Sequence, residues 1–138
     1  MEQQTKHERQ FLHKNSIFAL PVQQAVFVPS TTHGDHMISI HRQHERVKNV
    51  ETFLSKRYGG FTATQGTGGF YSKEKHKIIQ EPITVVESFA TKNAYNRNLP
   101  AMHKKLGQWR RNWGQESMGY ESKGHLYYLS KLQKGKKK

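Results

Sequence analysis

Residues Phe61–Ala90, FTATQGTGGFYSKEKHKIIQEPITVVESFA, carry the pattern from which the fold is inferred. Alternation at the start of this stretch predicts a strand over Phe61–Tyr71. The charged run at Ser72–Lys77 is typical of a hairpin tip, and Ile78–Ala90 is typical of a second, longer strand. Pro82 predicts an edge position or a bulge within that strand, because proline has no N–H to donate to a ladder.

An amphipathic helix is predicted on each side of this hairpin, because apolar residues recur there at helical spacing. The apolar positions of the first helix are Ile40, Val47, Val50 and Leu54. Those of the second helix are Leu99, Met102, Leu106, Trp109 and Trp113. Gly59–Gly60 is expected to end the first helix and Gly114 the second, and Pro100 is placed near the start of the second.

One strand before the first helix and two short strand-like pieces after the second, which together take the place of the last strand, complete the pattern. They are Gln23–Ser30, Ser117–Glu121 and His125–Ser130, the last two separated by a tight turn at Lys123–Gly124. Taken in order, the elements predict an α+β, ferredoxin-like βαββαβ fold, with an antiparallel sheet and two helices on one face. This domain spans 22–130, after an N-terminal extension over 1–21 and before a basic disordered tail over 131–138.

Four pieces of the chain support this fold by resemblance: FVPS, FLSKRYGGFTATQGTGGFY, IIQEP and WGQESMGYESKGHLYYL. Together they resemble a group of small ferredoxin-like proteins carried by prokaryotes and their mobile elements. The resemblance covers roughly Phe27 to Leu129. It implies the fold but no activity, so no site residue follows from it.

Composition restricts the class of protein. The chain has 138 residues, of which 33% are hydrophobic, and this predicts a single domain with a modest core. The absence of cysteine excludes disulfides and thiolate metal sites. No apolar run approaches the ~18 residues of a membrane span, and a cytoplasmic protein without membrane contact is expected.

The net charge of +13 is concentrated near the C-terminus, where ten basic and two acidic residues follow position 100. Basic residues interleaved with aromatic rings favour a polyanion with flat bases, RNA or single-stranded DNA. The sequence therefore predicts a small nucleic-acid-binding protein that contacts mainly backbone phosphates, as an accessory factor of a mobile element or ribonucleoprotein. The residues expected to contact nucleic acid are Lys104, Lys105, Arg110, Arg111, Tyr120, Lys123, Tyr127, Lys131 and Lys134.

Two other functions stay open beside binding. A small nuclease would use a metal or histidine chemistry, with His33, Asp35 and His36 as the candidate ligands or acid–base groups. A protein-interaction subunit would bind an acidic partner surface, and the predicted fold also permits a dimer. Binding is favoured over catalysis, and no motif indicates a cofactor.

Two features of the predicted hairpin allow alternative interpretations. The glycines of Gly66–Gly69 suit either a phosphate approached by backbone amides or a bulge in the strand, and the bulge is favoured. Glu81 and Glu87 share one face if the strand runs without interruption. Carboxylates on an apolar face are costly unless paired, so either Pro82 shifts the register or Glu81 meets a cation. A pair of carboxylates also suits a divalent metal.

Overall fold

In the computed structural model, which describes residues 5–14 and 18–131, helices and strands alternate along the chain. The helices are α1 (Lys6–Lys14), α2 (Ile40–Tyr58) and α3 (Lys92–Asn112). The strands are β1 (Val22–Pro29), β2 (Thr31–Thr32), β3 (His36–Met37), β4 (Thr62–Ser72), β5 (Lys77–Ala90), β6 (Ser117–Ser122) and β7 (His125–Ser130).

Five of the strands form one antiparallel sheet in the order β4-β5-β1-β6-β7, and β2 and β3 form a separate pair. The α+β class and the antiparallel sheet are therefore confirmed. The chain order βαββαβ is not matched, because α1, the β2–β3 pair and the edge strand β7 are added. The edge strand is separate because Lys123 and Gly124 turn the chain sharply, with φ of 53° and 81°.

The β4–β5 hairpin pairs without interruption from Thr62 opposite Glu87 to Ser72 opposite Lys77. The bulge expected at the glycines is therefore wrong. Pro82 lies just beyond the last pair of the β1–β5 ladder, where Pro29 opposes Ile83. At Pro82 only β4 pairs with β5, so the missing N–H leaves no gap in the five-stranded part of the sheet.

Each long helix begins at a side-chain cap. The hydroxyl of Ser39 accepts from the N–H of Arg42 at the start of α2, and Thr91 caps α3 in the same way. The Thr91 cap places Pro100 inside α3 and not near its start, so the expected position was wrong. Proline there removes one intrahelical hydrogen bond. Packing of the apolar stripe stabilises the helix despite this loss.

The core lies between one face of the sheet and helices α2 and α3. Even-numbered residues of β1 and β5, including Val26 and Val86, are buried against Leu54 and Leu106 of the two helices. Trp109 and Trp113 belong to this core, where their rings stack with centroids 5.6 Å apart. Within residues 5–14 and 18–131, no helix is both long enough and apolar enough to cross a membrane.

The opposite side of the sheet is called the open face here. It carries the odd-numbered side chains of β1 and β5, together with the side chains that lie opposite them on β4, β6 and β7. Large apolar side chains remain accessible on it, for example Phe89 and Tyr128, which are 45% and 70% exposed. A sheet face of this kind is available to a ligand or a partner.

Candidate functional site

Glu81 is the centre of the candidate site. It projects from β5 onto the open face, where its side chain is half-buried. The N–H of Ser30 donates to Glu81 Oε2 over 3.3 Å, and the Ser30 hydroxyl lies 3.4 Å from the same oxygen. That hydroxyl also donates to the Pro82 carbonyl over 2.6 Å. Ser30 thus continues the contact between β1 and β5 beyond the end of their ladder and holds the carboxylate.

The β4 strand contributes a floor without side chains beside this carboxylate. Gly68 is the cross-strand neighbour of Glu81, and Gly66 is the neighbour of Ile83, both on the open face. A Cβ on Gly68 would stand 3.3 Å from Ile83 Cγ2. The two glycines therefore form a flat floor next to Glu81, which the Ile83 side chain partly covers. This is a use of strand glycines other than bulging.

Apolar side chains border this floor. Phe70 follows Gly68 on the same face and is 65% exposed, and its cross-strand neighbour is the half-buried Ile79. Successive residues on one face of a strand are roughly 7 Å apart. Glu81, the glycine floor of Gly66 and Gly68, and the Phe70 ring thus place a negative charge beside a flat apolar surface. We call this group, with Ser30 and Ile83, the carboxylate site.

The open face as a whole has the opposite charge from the rest of the chain. Its strand side chains include the carboxylates of Glu81, Glu87 and Glu121 but one lysine, Lys77 at the hairpin tip. Glu87 accepts a hydrogen bond from Gln23 Nε2 over 3.1 Å. On a protein with a net charge of +13, this face is therefore suited to a cation and not to a polyanion.

Arg46 lies directly behind the carboxylate site, with its guanidinium buried in the protein. The residue is 4% exposed, and its guanidinium donates to the backbone carbonyls of Pro29, Thr31 and Trp113. Burial and the charge of Arg42 lower the pKa of Arg46, whereas the carboxylate of Glu81 raises it. The charges of Arg46 and Glu81 therefore attract each other across the end of β1.

A second polar group is buried under the helix side of the sheet. Tyr120 donates to Gln24 Oε1 over 2.8 Å, and the hydroxyls of Tyr95 and Ser122 bond to each other. Tyr120 is 4% exposed. The expectation that its ring stacks on a nucleic-acid base is therefore wrong, because even-numbered residues of β6 face the helices.

The other residues expected to contact nucleic acid are spread over several surfaces. Lys104 and Arg111 are exposed on α3, whereas Lys105 lies over the Trp109 ring at 5.7 Å and Arg110 donates to the Gln115 carbonyl. The ammonium of Lys123 lies 4.8 Å from the centre of the Tyr95 ring. Tyr127 shares the helix side of the sheet with Tyr120, and Lys131 is exposed. Lys134 and the rest of the tail after Lys131 lie outside the described residues, as do 1–4 and 15–17 of the extension.

The loop histidines do not form a metal centre with the acidic residues around them. His33, Asp35 and His36 are all exposed. Across the part of the chain that the structure describes, no three His, Cys, Asp or Glu side chains are arranged to hold a metal ion. The carboxylate site likewise has one carboxylate, so its chemistry is that of a lone anionic group on an apolar face.

A groove of about 540 Å³ lies at the other end of β1, away from Glu81. Its walls include Tyr95, Asn96, Lys92 and Lys123 but no carboxylate. Two ammonium groups repel a cation, so this groove does not share the chemistry of the carboxylate site.

Ser30 and Arg46 are two residues in and behind the carboxylate site that the sequence did not single out. A signal for Arg46 was present, since it precedes Val50, Leu54 and Tyr58 at intervals of four on the buried stripe of α2. An arginine at a buried position of a helix indicates a cation that is hydrogen-bonded to surrounding polar groups. Ser30 carries no comparable signal, because its partners are 51 and 52 residues away along the chain.

Comparison with solved structures shows which known proteins have a similar fold. No protein-family model and no curated protein matches this chain. It is similar to a solved phage SAM lyase in complex with S-methyl-5'-thioadenosine, at 14% identity and a TM-score of 0.57, covering 85% of this chain and 95% of that one. The phage SAM lyase in its apo state gives 14% identity and a TM-score of 0.53, with 86% and 98% covered. A Bacillus cereus protein related to NIF3 has 15% identity and a TM-score of 0.44, covering 78% of this chain and 25% of that one.

These similarities correct the predicted function. The prediction of a nucleic-acid-binding accessory factor is wrong, because the chain shares its fold over nearly the whole length with a phage SAM lyase. The acidic open face gives the physical reason, since the charge of +13 averages over surfaces that differ in sign. The SAM lyase of these two structures comes from a phage. A ferredoxin-like group is not confirmed.

Proposed function

We propose that this protein is a SAM lyase, which binds S-adenosylmethionine at the carboxylate site and releases S-methyl-5'-thioadenosine. The observation that carries the proposal is the Glu81 carboxylate, held by Ser30 on an apolar, glycine-floored sheet face. The likeness to a phage SAM lyase with S-methyl-5'-thioadenosine bound supports it, because the shared fold covers 95% of that enzyme.

The charge of the site suits this substrate. S-Adenosylmethionine carries a sulfonium cation, whereas S-methyl-5'-thioadenosine is a neutral thioether. A half-buried carboxylate attracts the cation more strongly than a water-exposed one, because the surrounding dielectric is lower. Glu81 therefore favours the charged substrate over the neutral product, and the product leaves more readily once the sulfonium charge is lost.

The neighbouring surface suits the other part of the substrate. The exposed Phe70 ring lies beyond the glycine floor and offers a flat apolar surface to the adenine. Because Gly68 has no side chain, the thioether and ribose can approach the backbone between Phe70 and Glu81.

The reaction breaks the bond between the sulfonium sulfur and the four-carbon amino-acid chain. The electron pair of that bond stays on sulfur, which becomes the neutral thioether of S-methyl-5'-thioadenosine. The four-carbon fragment gains no water. A proton leaves the carbon next to the one that carried sulfur, the electron pair of that C–H bond forms a carbon–carbon double bond, and the fragment departs as an unsaturated amino acid. The Glu81 carboxylate holds the cationic centre in place and is the group beside it that accepts a proton.

The test is to incubate the purified protein with S-adenosylmethionine and to follow S-methyl-5'-thioadenosine by liquid chromatography and mass spectrometry. We expect product from the wild type and a loss of at least about 100-fold in kcat/KM for Glu81→Gln, since a preorganised charged group is removed. Glu87→Gln is the matched control, because it makes the same change six residues further along β5 on the same face. It is expected to keep activity within about threefold.

Two results would contradict the proposal. One is a folded wild-type protein that neither binds S-adenosylmethionine in calorimetry nor releases the thioether. The other is formation of S-adenosylhomocysteine in place of the thioether, which would indicate methyl transfer. Equal losses in Glu81→Gln and Glu87→Gln would remove Glu81 from its assigned role.

A further inference from the structure

Arg46 is the most completely enclosed cation that the described residues contain near the carboxylate site. One terminal nitrogen, Nη1, donates to the carbonyls of Pro29 and Thr31, each over 2.8 Å. The other, Nη2, donates to the Trp113 carbonyl over 3.3 Å, and the guanidinium lies 5.4 Å from the centre of the Trp113 ring. One side chain of α2 thereby joins the end of β1 to the end of α3.

The two carbonyls held by Nη1 belong to the residues immediately before and after Ser30. The Pro29 carbonyl is in the same peptide unit as the Ser30 N–H that points to Glu81, so Nη1 holds this unit directly and holds the chain again at Thr31. Ser30 itself is 6% exposed, and both its N–H and its hydroxyl are directed to Glu81 and Pro82. A shift of the Pro29–Thr31 backbone would move the hydrogen-bond donor of the carboxylate.

We infer that Arg46 is a positioning residue for the Glu81 carboxylate and acts on it through the backbone of Ser30; this rests on the proposed function. Arg46 is not placed against substrate, since it lies behind the end of β1. Its effect on the reaction is to hold the Ser30 donor, and with it the Glu81 oxygen, in one geometry.

The chemistry of arginine explains why a cation occupies this position. Its planar guanidinium presents several N–H groups in a fixed arrangement, so a single side chain satisfies carbonyls of three residues. A lysine keeps the charge but lacks that arrangement. Since an enclosed ion pair or cation costs desolvation energy, an apolar residue would serve packing alone better. Geometry at Ser30 is the property that Arg46 adds.

The experiment compares Arg46→Lys with Arg42→Lys, which makes the same substitution on an exposed position of the same helix. Steady-state kinetics with S-adenosylmethionine give kcat and KM separately. In parallel, two-dimensional amide NMR of the substrate-free protein follows the Ser30 N–H while acid is added. Because this N–H donates to Glu81, its resonance moves as the carboxylate takes up a proton.

We expect Arg46→Lys to lower kcat at least about tenfold and also to raise KM, because the displaced carboxylate both holds the sulfonium and accepts the proton. The Ser30 resonance should lose at least half of its acid-induced shift in this variant and keep it in Arg42→Lys. If Arg46→Lys does not fold, Thr31→Gly, which loosens one of the held carbonyls by relaxing the backbone, is measured in the same two ways.

A double-mutant cycle adds a second criterion. If Arg46 acts on the reaction through the Glu81 carboxylate, its substitution in a Glu81→Gln background should cost less than half of the kcat loss seen in the wild-type background. An unchanged Ser30 resonance, or fully additive losses, would overturn the inference. If the wild type does not cleave S-adenosylmethionine, the proposed function fails, and the NMR comparison alone still decides whether Arg46 holds Ser30 against Glu81.

Discussion

Gly68 and Glu81 are cross-strand neighbours on the open face, so the carboxylate that Ser30 holds stands beside a position without a side chain. The two residues are 13 positions apart in sequence and come together because the β4–β5 register is uninterrupted. In the proposed function, this juxtaposition lets a substrate group reach the carboxylate from the glycine side.

Gly68→Val is expected to close that approach. A Cβ at this position stands 3.3 Å from Ile83 Cγ2, and the added methyl groups extend over the floor beside Glu81. We predict a fall in kcat/KM for S-adenosylmethionine of at least about tenfold. The free energy of unfolding should change by less than about 1 kcal/mol, because valine favours strands.

The control for Gly68→Val is Thr62→Val, on the same strand and the same face but opposite Glu87. It should leave turnover within about twofold of the wild type. Equal turnover in Gly68→Val and the wild type would show that the glycine floor is not an approach to Glu81.

The hairpin could be predicted from sequence because its pattern is local. Phe61–Tyr71 and Ile78–Ala90 alternate, and a charged tip separates them, so their ends are correct to within one residue. The start of α3 was harder to predict from the sequence, because its first two turns, from Lys92, carry few apolar residues. The N-cap Thr91 was the available signal there.

The site could be predicted only in parts. Glu81 and the glycines were each recognised as unusual, but their adjacency depends on a register that alternation alone leaves open. The net charge led to the wrong prediction of function, because it also carries no information on which side chains share a face. The value of +13 counts every side chain, whereas Glu87 and Glu121 face the same side as Glu81 and give that surface the opposite sign.

Gly114→Ala is expected to destabilise the end of α3. Gly114 has a φ of 64°, and a Cβ there would stand 2.6 Å from Thr32 Oγ1, which itself donates to the Trp113 carbonyl. Backbone strain and the clash together should lower the free energy of unfolding by about 2–3 kcal/mol in urea denaturation.

Gly124→Ala separates strain from clash. Its φ of 81° is also in the left-handed region, but a Cβ there meets nothing within 4 Å. The expected loss is about 1 kcal/mol. If the two alanine variants lose the same free energy, the contact between Gly114 and Thr32 has no energetic role.

Tyr120→Phe tests the buried polar group beneath the sheet. The substitution removes the donor to Gln24 Oε1, in a residue that is fully buried and whose Nε2 has no hydrogen-bond partner within the described chain. We expect a loss of about 1–3 kcal/mol in the free energy of unfolding. Tyr128→Phe, at a 70% exposed position, should change it by less than about 0.5 kcal/mol. A loss of equal size in both variants would contradict the assigned role of the Gln24 contact.

The same tyrosine predicts how stability falls in alkali. Burial raises the pKa of Tyr120 above its ordinary value of 10.0, and burial also raises that of Tyr58. The folded protein therefore keeps these protons at a pH where the unfolded chain releases them. The contribution of these two tyrosines to the free energy of unfolding is fully present below pH 10. It declines as the pH rises above 10, by up to about 1.4 kcal/mol per pH unit for each tyrosine.

Urea denaturation between pH 9 and about 11.5 should show this decline, with a shallower slope in Tyr120→Phe than in Tyr128→Phe. Parallel slopes in the two variants would mean that Tyr120 titrates alike in the folded and unfolded chains.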